Sequence, residues 1–365
     1  MHHDLIQVVT NFAQKLNLMN AKVIEIINEV KTLSEEDFNF VLESLLSGGY
    51  HSCEDINTFV SSLKSASVYK CPHCGGTHIV RNGHRKDGVQ KFVCKDCNKS
   101  FVPTTNTVFA YSHKDLSTWE TYIKSILGGA HLRSAAKKCG INIRTSFFWR
   151  HKVLSSLCSM EDEVVLNGIT EGDETFFNLS YKGNSKAFSN GDVERKQHKR
   201  GGEIHKRGLS KEHVCVPCAV DREYKSIARV AGLGACSTKE LGNVLNGKIE
   251  SDSTMCTDDN SIYKKFALAN NIKLVQIKGG KKVKGLFHIQ HLNAFHSMLK
   301  EFITPFHGVA TKYLNGYLAW NNFVNYAREG FNEKLTILKE WLVKCNHFYP
   351  QRTFESMPLI PIPCE

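Results

Sequence analysis

Two sets of residues have types and spacing that could do chemistry. Cys71 and Cys74 flank Pro72-His73, and Cys94 and Cys97 flank Lys95-Asp96, with nineteen residues between the pairs. In each two-residue knuckle both thiolates can point at one ion while turn N–H groups satisfy the sulfurs. Two knuckles then make a closed, structural, tetrahedral Zn²⁺ site. Of the 13 cysteines, a third such pair, Cys215 and Cys218, lies in the apolar run Val214 to Val220. That run reads as a buried strand whose successive side chains face opposite ways, so these two are expected in a core.

The second set is Asp173, Asp258 and Asn293, which must be brought together by the elements that carry them. After residue 163 the order reads strand 168–177 with Asp173, strands 213–222 and 226–235, helix 237–245 and strand 253–258 with Asp258. Helix 261–269, strand 272–277 and helix 288–302 with Asn293 follow. This βββαβαβα order is that of ribonuclease H-like folds. There the first strand and the end of the fourth set carboxylates side by side, and the last helix brings a third ligand. Asn293, His296 and Lys300 fall at i, i+3 and i+7, one helix face, so Lys300 is expected to contact phosphate. Oxygen donors suit Mg²⁺ or Mn²⁺, and two such ions serve cleavage of a phosphodiester and joining of the freed 3′-OH. Glu171, Glu174, Asp252 and Asp259 are neighbours that could stand in for these acids.

The remaining elements must position DNA if that chemistry is to be used. Forty-seven Lys and Arg against 36 Asp and Glu give a net charge of +11, which favours a polyanionic partner. No run of about 18 uncharged apolar residues is present, and the first residues lack the plan of a signal peptide, so a cytoplasmic chain without membrane contact is expected. Residues 5–64 carry apolar positions at helical spacing, and two or three helices are expected there. Residues 70–101, with seven Lys or Arg, form short strands around turn signals such as Asn82-Gly83. Residues 112–158 read as helix, break, helix, tight turn at Gly140, helix. This is the shape of a helix-turn-helix, with Arg144 and Arg150 facing a groove, or of a plain helical hairpin with Trp149, Phe147 and Phe148 in a core. Basic runs in 182–211 (Lys196 and Arg200 among nine Lys or Arg) and around Lys281 and Lys282 flank the acidic site, as DNA-gripping loops or solvated ones.

Taken together, Cys71-Pro-His-Cys74, Cys94-Lys-Asp-Cys97, Arg144-Thr-Ser-Phe-Phe-Trp-Arg-His151, Asp173-Glu-Thr-Phe-Phe177, Thr257-Asp258 with Tyr263, and the stretch His291 to Lys300 resemble one family. It is that of insertion-sequence transposases with an N-terminal zinc ribbon and a DDE-type catalytic domain, in the branch where Asn replaces the last Glu and a Lys follows. The resemblance runs from about Tyr69 to about Tyr326. With the resemblance, the chain reads as multidomain α+β: a zinc ribbon (67–104), a helix-turn-helix (112–158) and a ribonuclease H-like domain (163–345) with a basic insertion (180–212), while the helical region (1–66), outside the resemblance, and the irregular tail (346–365) are read from the residues themselves. The resemblance also implies cleavage at element ends and strand transfer with Mg²⁺, a triad of Asp173, Asp258 and Asn293 followed by Lys300, and terminal inverted repeats and target DNA as partners. Bringing two ends together calls for a dimer or larger assembly. The rival expectations are an inactive, transposase-derived DNA-binding protein, since an amide is a poorer ligand than a carboxylate, and a ribonuclease H-like nuclease that cuts without joining.

Overall fold

The computed structural model describes residues 70–361 except 87, 192, 194–209, 279–282 and 346. The helical region expected over 1–66 and the basic residues Lys196, Arg200, Lys281 and Lys282 lie outside the described residues.

The first described elements are three short antiparallel strands, β1 (Ile79–His84), β2 (Gln90–Cys94) and β3 (Ser100–Phe101), in that order. So small a sheet buries little. Its core is Phe92 stacked on Phe101 at 5.7 Å, closed by Cys71 and Cys94. Below about 40 residues such a module needs a staple beyond its apolar contacts.

Helices α1 (Leu116–Leu127), α2 (Leu132–Lys138) and α3 (Ile143–Glu161) follow. Asp115 caps α1 by accepting from Thr118 N–H, and Asn142 caps α3 by accepting from Arg144 N–H. The turn between α2 and α3 needs a left-handed residue, and Gly140 supplies it at φ +58°. These helices do not stand apart from what comes later. Trp119 and Trp149, stacked at 3.6 Å, share one core with Trp320 of α8 (Leu314–Asn321) and Leu335, Leu338 and Leu342 of α9 (Phe331–Lys344). Large aromatics on α1 and α3 need partners, and the chain brings those partners from nearly two hundred residues away.

Between these helical segments lies a sheet built on β4 (Ile169–Asn178), which is followed by the short helix α4 (Ser185–Ser189). β5 (His213–Asp221) runs antiparallel to β4, and β6 (Ser226–Ala228) and β7 (Gly232–Leu233) run antiparallel to β5. β8 (Thr254–Asp258) runs parallel to β4, and β9 (Lys273–Ile277) parallel to β8. The spatial order is β6-β5-β4-β8-β9. The single strand expected over 226–235 is two pieces. A two-stranded hairpin that the sequence did not announce, β10 (Val283–Lys284) with β11 (Phe287–His288), precedes the last helix of the sheet region.

Helices cover both faces of this sheet. α5 (Thr238–Leu245) and α6 (Ser261–Ala269) bury Leu241, Val244, Tyr263 and Phe266 against Ala219 and Met255. α7 (Gln290–Ile303) and α8 bury Leu292, Phe295, Leu299 and Leu318 against Val214, Val216, Cys218 and Val220 of β5. Cys215 and Cys218 are both buried in β5 and face opposite sides, as expected for core cysteines. α10 (Gln351–Glu355) packs Phe354 near His151.

One buried ion pair joins the end of α3 to this sheet. Arg229 donates from Nε to Glu161 Oε2 at 2.7 Å, and Asn322 Nδ2 and Ala228 N–H also reach that carboxyl. Burial pushes the Glu161 carboxyl up, and Arg229 opposes it. Removing one partner of such a pair strands the other, so Arg229→Met is expected to cost about 3–5 kcal/mol. The loss should deepen as pH rises from 5 to 8, because the unpaired carboxyl must then be buried ionised. Urea denaturation at both pH values checks this.

Candidate metal and nucleic-acid site

The four knuckle cysteines converge. Cys71 Sγ lies 3.7 Å from Cys97 Sγ, and Cys74 Sγ 3.6 Å from Cys94 Sγ. Zn–S bonds of about 2.3 Å in a tetrahedron put sulfurs roughly 3.8 Å apart, whereas a disulfide would need about 2 Å. His73 N–H donates to Cys71 Sγ and Gly76 N–H to Cys74 Sγ, each at 3.4 Å, which is how a turn satisfies thiolates. These four residues could hold one metal ion.

The acidic residues are placed by the pleat of β4. Gly172 pairs with Thr257 in the parallel β4–β8 ladder, so Asp173 and Asp258, one step on, fall side by side. Asp173 also pairs with Cys218 of β5, whose side chain packs in the cluster with α7, and so the two aspartates occupy the α7 face. Burial pushes the Asp173 carboxyl up to about 6; Glu174 N–H donates to it and pulls the other way, and the charge of Asp258 pushes further. The chain after β8 is pinned: Gln276 Nε2 donates to the Asp258 and Asn260 carbonyls at 3.0 and 2.9 Å. Asn260 in turn caps α6.

On α7 the buried stripe Leu292, Phe295 and Leu299 holds the helix to the sheet. Asn293 and Lys300 lie beside that stripe and are exposed, with His296 half-buried between them. His296 Nε2 is buried without a hydrogen-bond partner among the described residues, and burial with the charge of Lys300 brings its imidazole down to about 4. Asp173, Asp258 and the Asn293 helix thus share one side of the sheet.

Glu174 faces the other side. Its alternation puts it with Gly172 against α6, where a Cβ at position 172 would run into Met255 Cε. Burial pushes Glu174 up to about 7, against a downward pull from Tyr263 and with a further push from Asp173 and Asp258.

Of the two arginines expected in a groove, Arg144 at the start of α3 is exposed. Arg150 is not: it is 1% exposed, donates to the Ala130 carbonyl and lies over the Trp320 ring at 5.1 Å. It is a core residue, because its position on α3 falls on the stripe facing α8. Lys182, counted in the basic 182–211 run, donates to the carbonyls of Phe306, His307 and Gly308 and ties two loops.

A constellation the sequence reading left unassembled surrounds Glu171, two residues before Asp173. His288 and His291 bring ring nitrogens to it at 3.4 and 2.8 Å, and Arg222 pairs with it at 2.9 Å. By distance alone Glu171, His288 and His291 could also hold a metal ion. Two signals pointed to it: Glu171 shares the pleat face of Asp173, and His288 and His291 lie three apart at a helix start.

Glu174→Gln tests the environment of β4. A carboxyl raised from about 4.5 to about 7 on folding favours the native state most below pH 4.5, and that advantage is lost as pH rises through 7. The neutral variant should lack this decline. It is expected to exceed the parent at pH 8 by about 1–3 kcal/mol and to converge with it near pH 4.5, read by denaturation without added Mg²⁺.

Comparison with known proteins bears on the same stretch. Residues 165–323 match the family described as ISXO2-like transposase domain. That stretch contains the whole sheet, Asp173, Asp258, Asn293, Lys300 and the Glu171 constellation, and excludes the four knuckle cysteines and α1–α3. The "Uncharacterized protein in transposable element ISH50" of Halobacterium salinarum is 23% identical over 278 residues, covering 72% of this chain and 90% of that protein. Residues 165–323 are thus similar to an ISXO2-like transposase domain, and most of the chain is similar to a protein carried by a transposable element.

Proposed function

We propose that the chain is a DNA transposase that binds element ends, hydrolyses a phosphodiester there and joins the freed 3′-OH to target DNA, with Asp173, Asp258 and Asn293 as the metal-holding set. The observation that carries this is the parallel β4–β8 register, whose last pair, Gly172 with Thr257, leaves Asp173 and Asp258 as the next residue on each strand, on the face that α7 covers. The strand order β6-β5-β4-β8-β9, with only β5 and its partners β6 and β7 antiparallel to their neighbours, supports assigning the domain to the ribonuclease H-like folds.

The donor set fits a hard divalent cation. Two carboxyls and an amide supply oxygen only, and the upward push on Asp173 from Asp258 is the repulsion that a cation between them would relieve. Bound Mg²⁺ or Mn²⁺ supplies activation of the attacking oxygen and stabilisation of the leaving one. The residues themselves have separate tasks. Asp173 and Asp258 concentrate negative charge at the strand ends, Asn293 adds a neutral oxygen, and Lys300, two turns along α7, offsets the charge of a phosphate lying along the helix.

The remaining assignments follow from charge and position. The cysteine module is proposed to hold structural Zn²⁺ and, with Arg144 and the α2–α3 turn as a helix-turn-helix, to contact the terminal repeats. The basic stretches containing Lys196, Arg200, Lys281 and Lys282 are proposed to grip the duplex near the cleft, in a dimer or larger assembly on two ends. No described helix is long and apolar enough to cross a membrane; a cytoplasmic location is proposed because the proposed substrate is DNA.

Purified protein with a labelled terminal-repeat duplex separates enzyme from inactive relative. Asp173→Asn is expected to lose Mg²⁺-dependent nicking by at least about a hundredfold while end binding is retained. Undiminished nicking would overturn the assignment, and cleavage without any joined product would favour a simple nuclease. Metal analysis should give one zinc per chain, and Cys71→Ala/Cys94→Ala should lose it together with the order of β1–β3.

A further inference from the structure

Glu171 is a buried carboxyl on the strand that carries Asp173, and it is 1% exposed. Its Oε2 accepts from the backbone N–H of Leu292 at 3.0 Å, in the first turn of α7. That helix has Ile289 at its N-cap, which offers no side-chain acceptor. An orphan N–H of α7 is therefore satisfied by a carboxyl from a different element, and a negative group sits where the helix dipole favours it. Oε1 meets Arg222 Nη2 at 2.9 Å and His291 Nδ1 at 2.8 Å, and Arg222 Nη1 reaches His288 Nε2 at 3.1 Å. The end of β5, the β10–β11 hairpin and α7 thus all close on one carboxyl.

Leu292 immediately precedes Asn293, and Glu171 lies two residues from Asp173 on the same face. We propose that Glu171 is a positioning residue: it fixes the first turn of α7, and so Asn293, relative to Asp173 and Asp258, with Arg222, His288 and His291 holding it in place. This rests on the assignment of those three residues as the metal-holding set. The cluster is a clamp rather than a second metal site because the atoms a cation would need are engaged. Arg222 compensates Glu171 and occupies the His288 Nε2 lone pair, and its guanidinium would have to leave before a dication could enter. The role is also more than holding the helix on, since Leu292, Phe295 and Leu299 dock α7 independently.

The test uses the full chain, the labelled terminal-repeat duplex and a Mg²⁺ titration. Glu171→Ala is expected to keep end binding within about twofold, to lower the nicking rate about 10- to 100-fold, and to raise the half-saturating Mg²⁺ concentration about tenfold. Glu171→Gln keeps an oxygen for Leu292 N–H and should fall between Ala and the parent in both readouts. It also serves if the Ala variant does not fold. Arg222→Met should move the same two quantities in the same direction. Asp173→Asn run alongside separates the two claims: if it nicks like the parent, the underlying site assignment fails. If Asp173→Asn is inactive while both Glu171 variants match the parent in rate and Mg²⁺ dependence, the positioning role is overturned. A second equivalent of zinc per chain, lost in His288→Ala, would also overturn it, since Glu171 would then be a ligand.

Discussion

The two-residue pleat of β4 is the constraint on which the sheet region depends. A strand covered on both faces ordinarily carries apolar side chains throughout, yet β4 carries Glu171, Asp173 and Glu174 within four positions. The alternation separates them. Glu171 and Asp173 go to the α7 face, Gly172 and Glu174 to the α5–α6 face, and each carboxyl meets different neighbours. A one-residue slip of β4 against β5 and β8 would exchange the two sets. It would set Gly172 beside Asp258 and drive Glu171 into the Met255–Tyr263 cluster. A Cβ at position 172 would meet the terminal methyl of Met255, which would have to shift to make room.

Buried polar groups at the other junctions are likewise paired across elements distant in sequence. Glu161 at the end of α3 meets Arg229 after β6 and Asn322 after α8. Arg150 on α3 meets the Ala130 carbonyl and Trp320. The helices before the sheet and those after it therefore form one core, and movement of α1–α3 as an independent body would expose Trp119 and Trp149 and strand these charges. A DNA contact made by Arg144 at the start of α3 would accordingly be felt along a helix whose other end is tied by Glu161 to the sheet.

Much of this was legible in the residues. The knuckle spacing predicted convergence of four sulfurs, the apolar runs predicted the order of strands and helices over 168–302 apart from α4 and the β10–β11 hairpin, and alternation in Val214 to Val220 predicted opposite faces for Cys215 and Cys218. The misses share a cause. Arg150 was expected in a groove because charge and helical position were visible while α8, the partner that buries it, lies 164 residues further on at its first residue, Leu314. The strand over 226–235 splits because β6 and β7 pair with different parts of β5. Lys182 was counted as a DNA-facing charge although it caps carbonyls of a loop beyond α7.

The sequence by itself determined that four cysteines at knuckle spacing could share one ion, which segments alternate with period two and which with the period of a helix, and that the chain is basic. These are local properties, set by side-chain chemistry and backbone geometry over a few residues. Tertiary structure alone decided that Glu171 rather than an N-cap side chain satisfies the start of α7, that Arg222, His288 and His291 gather on that carboxyl, and that Arg150 is core. Each of those outcomes depends on which distant element occupies the facing position, and spacing along one chain does not encode a neighbour supplied from tens or hundreds of residues away.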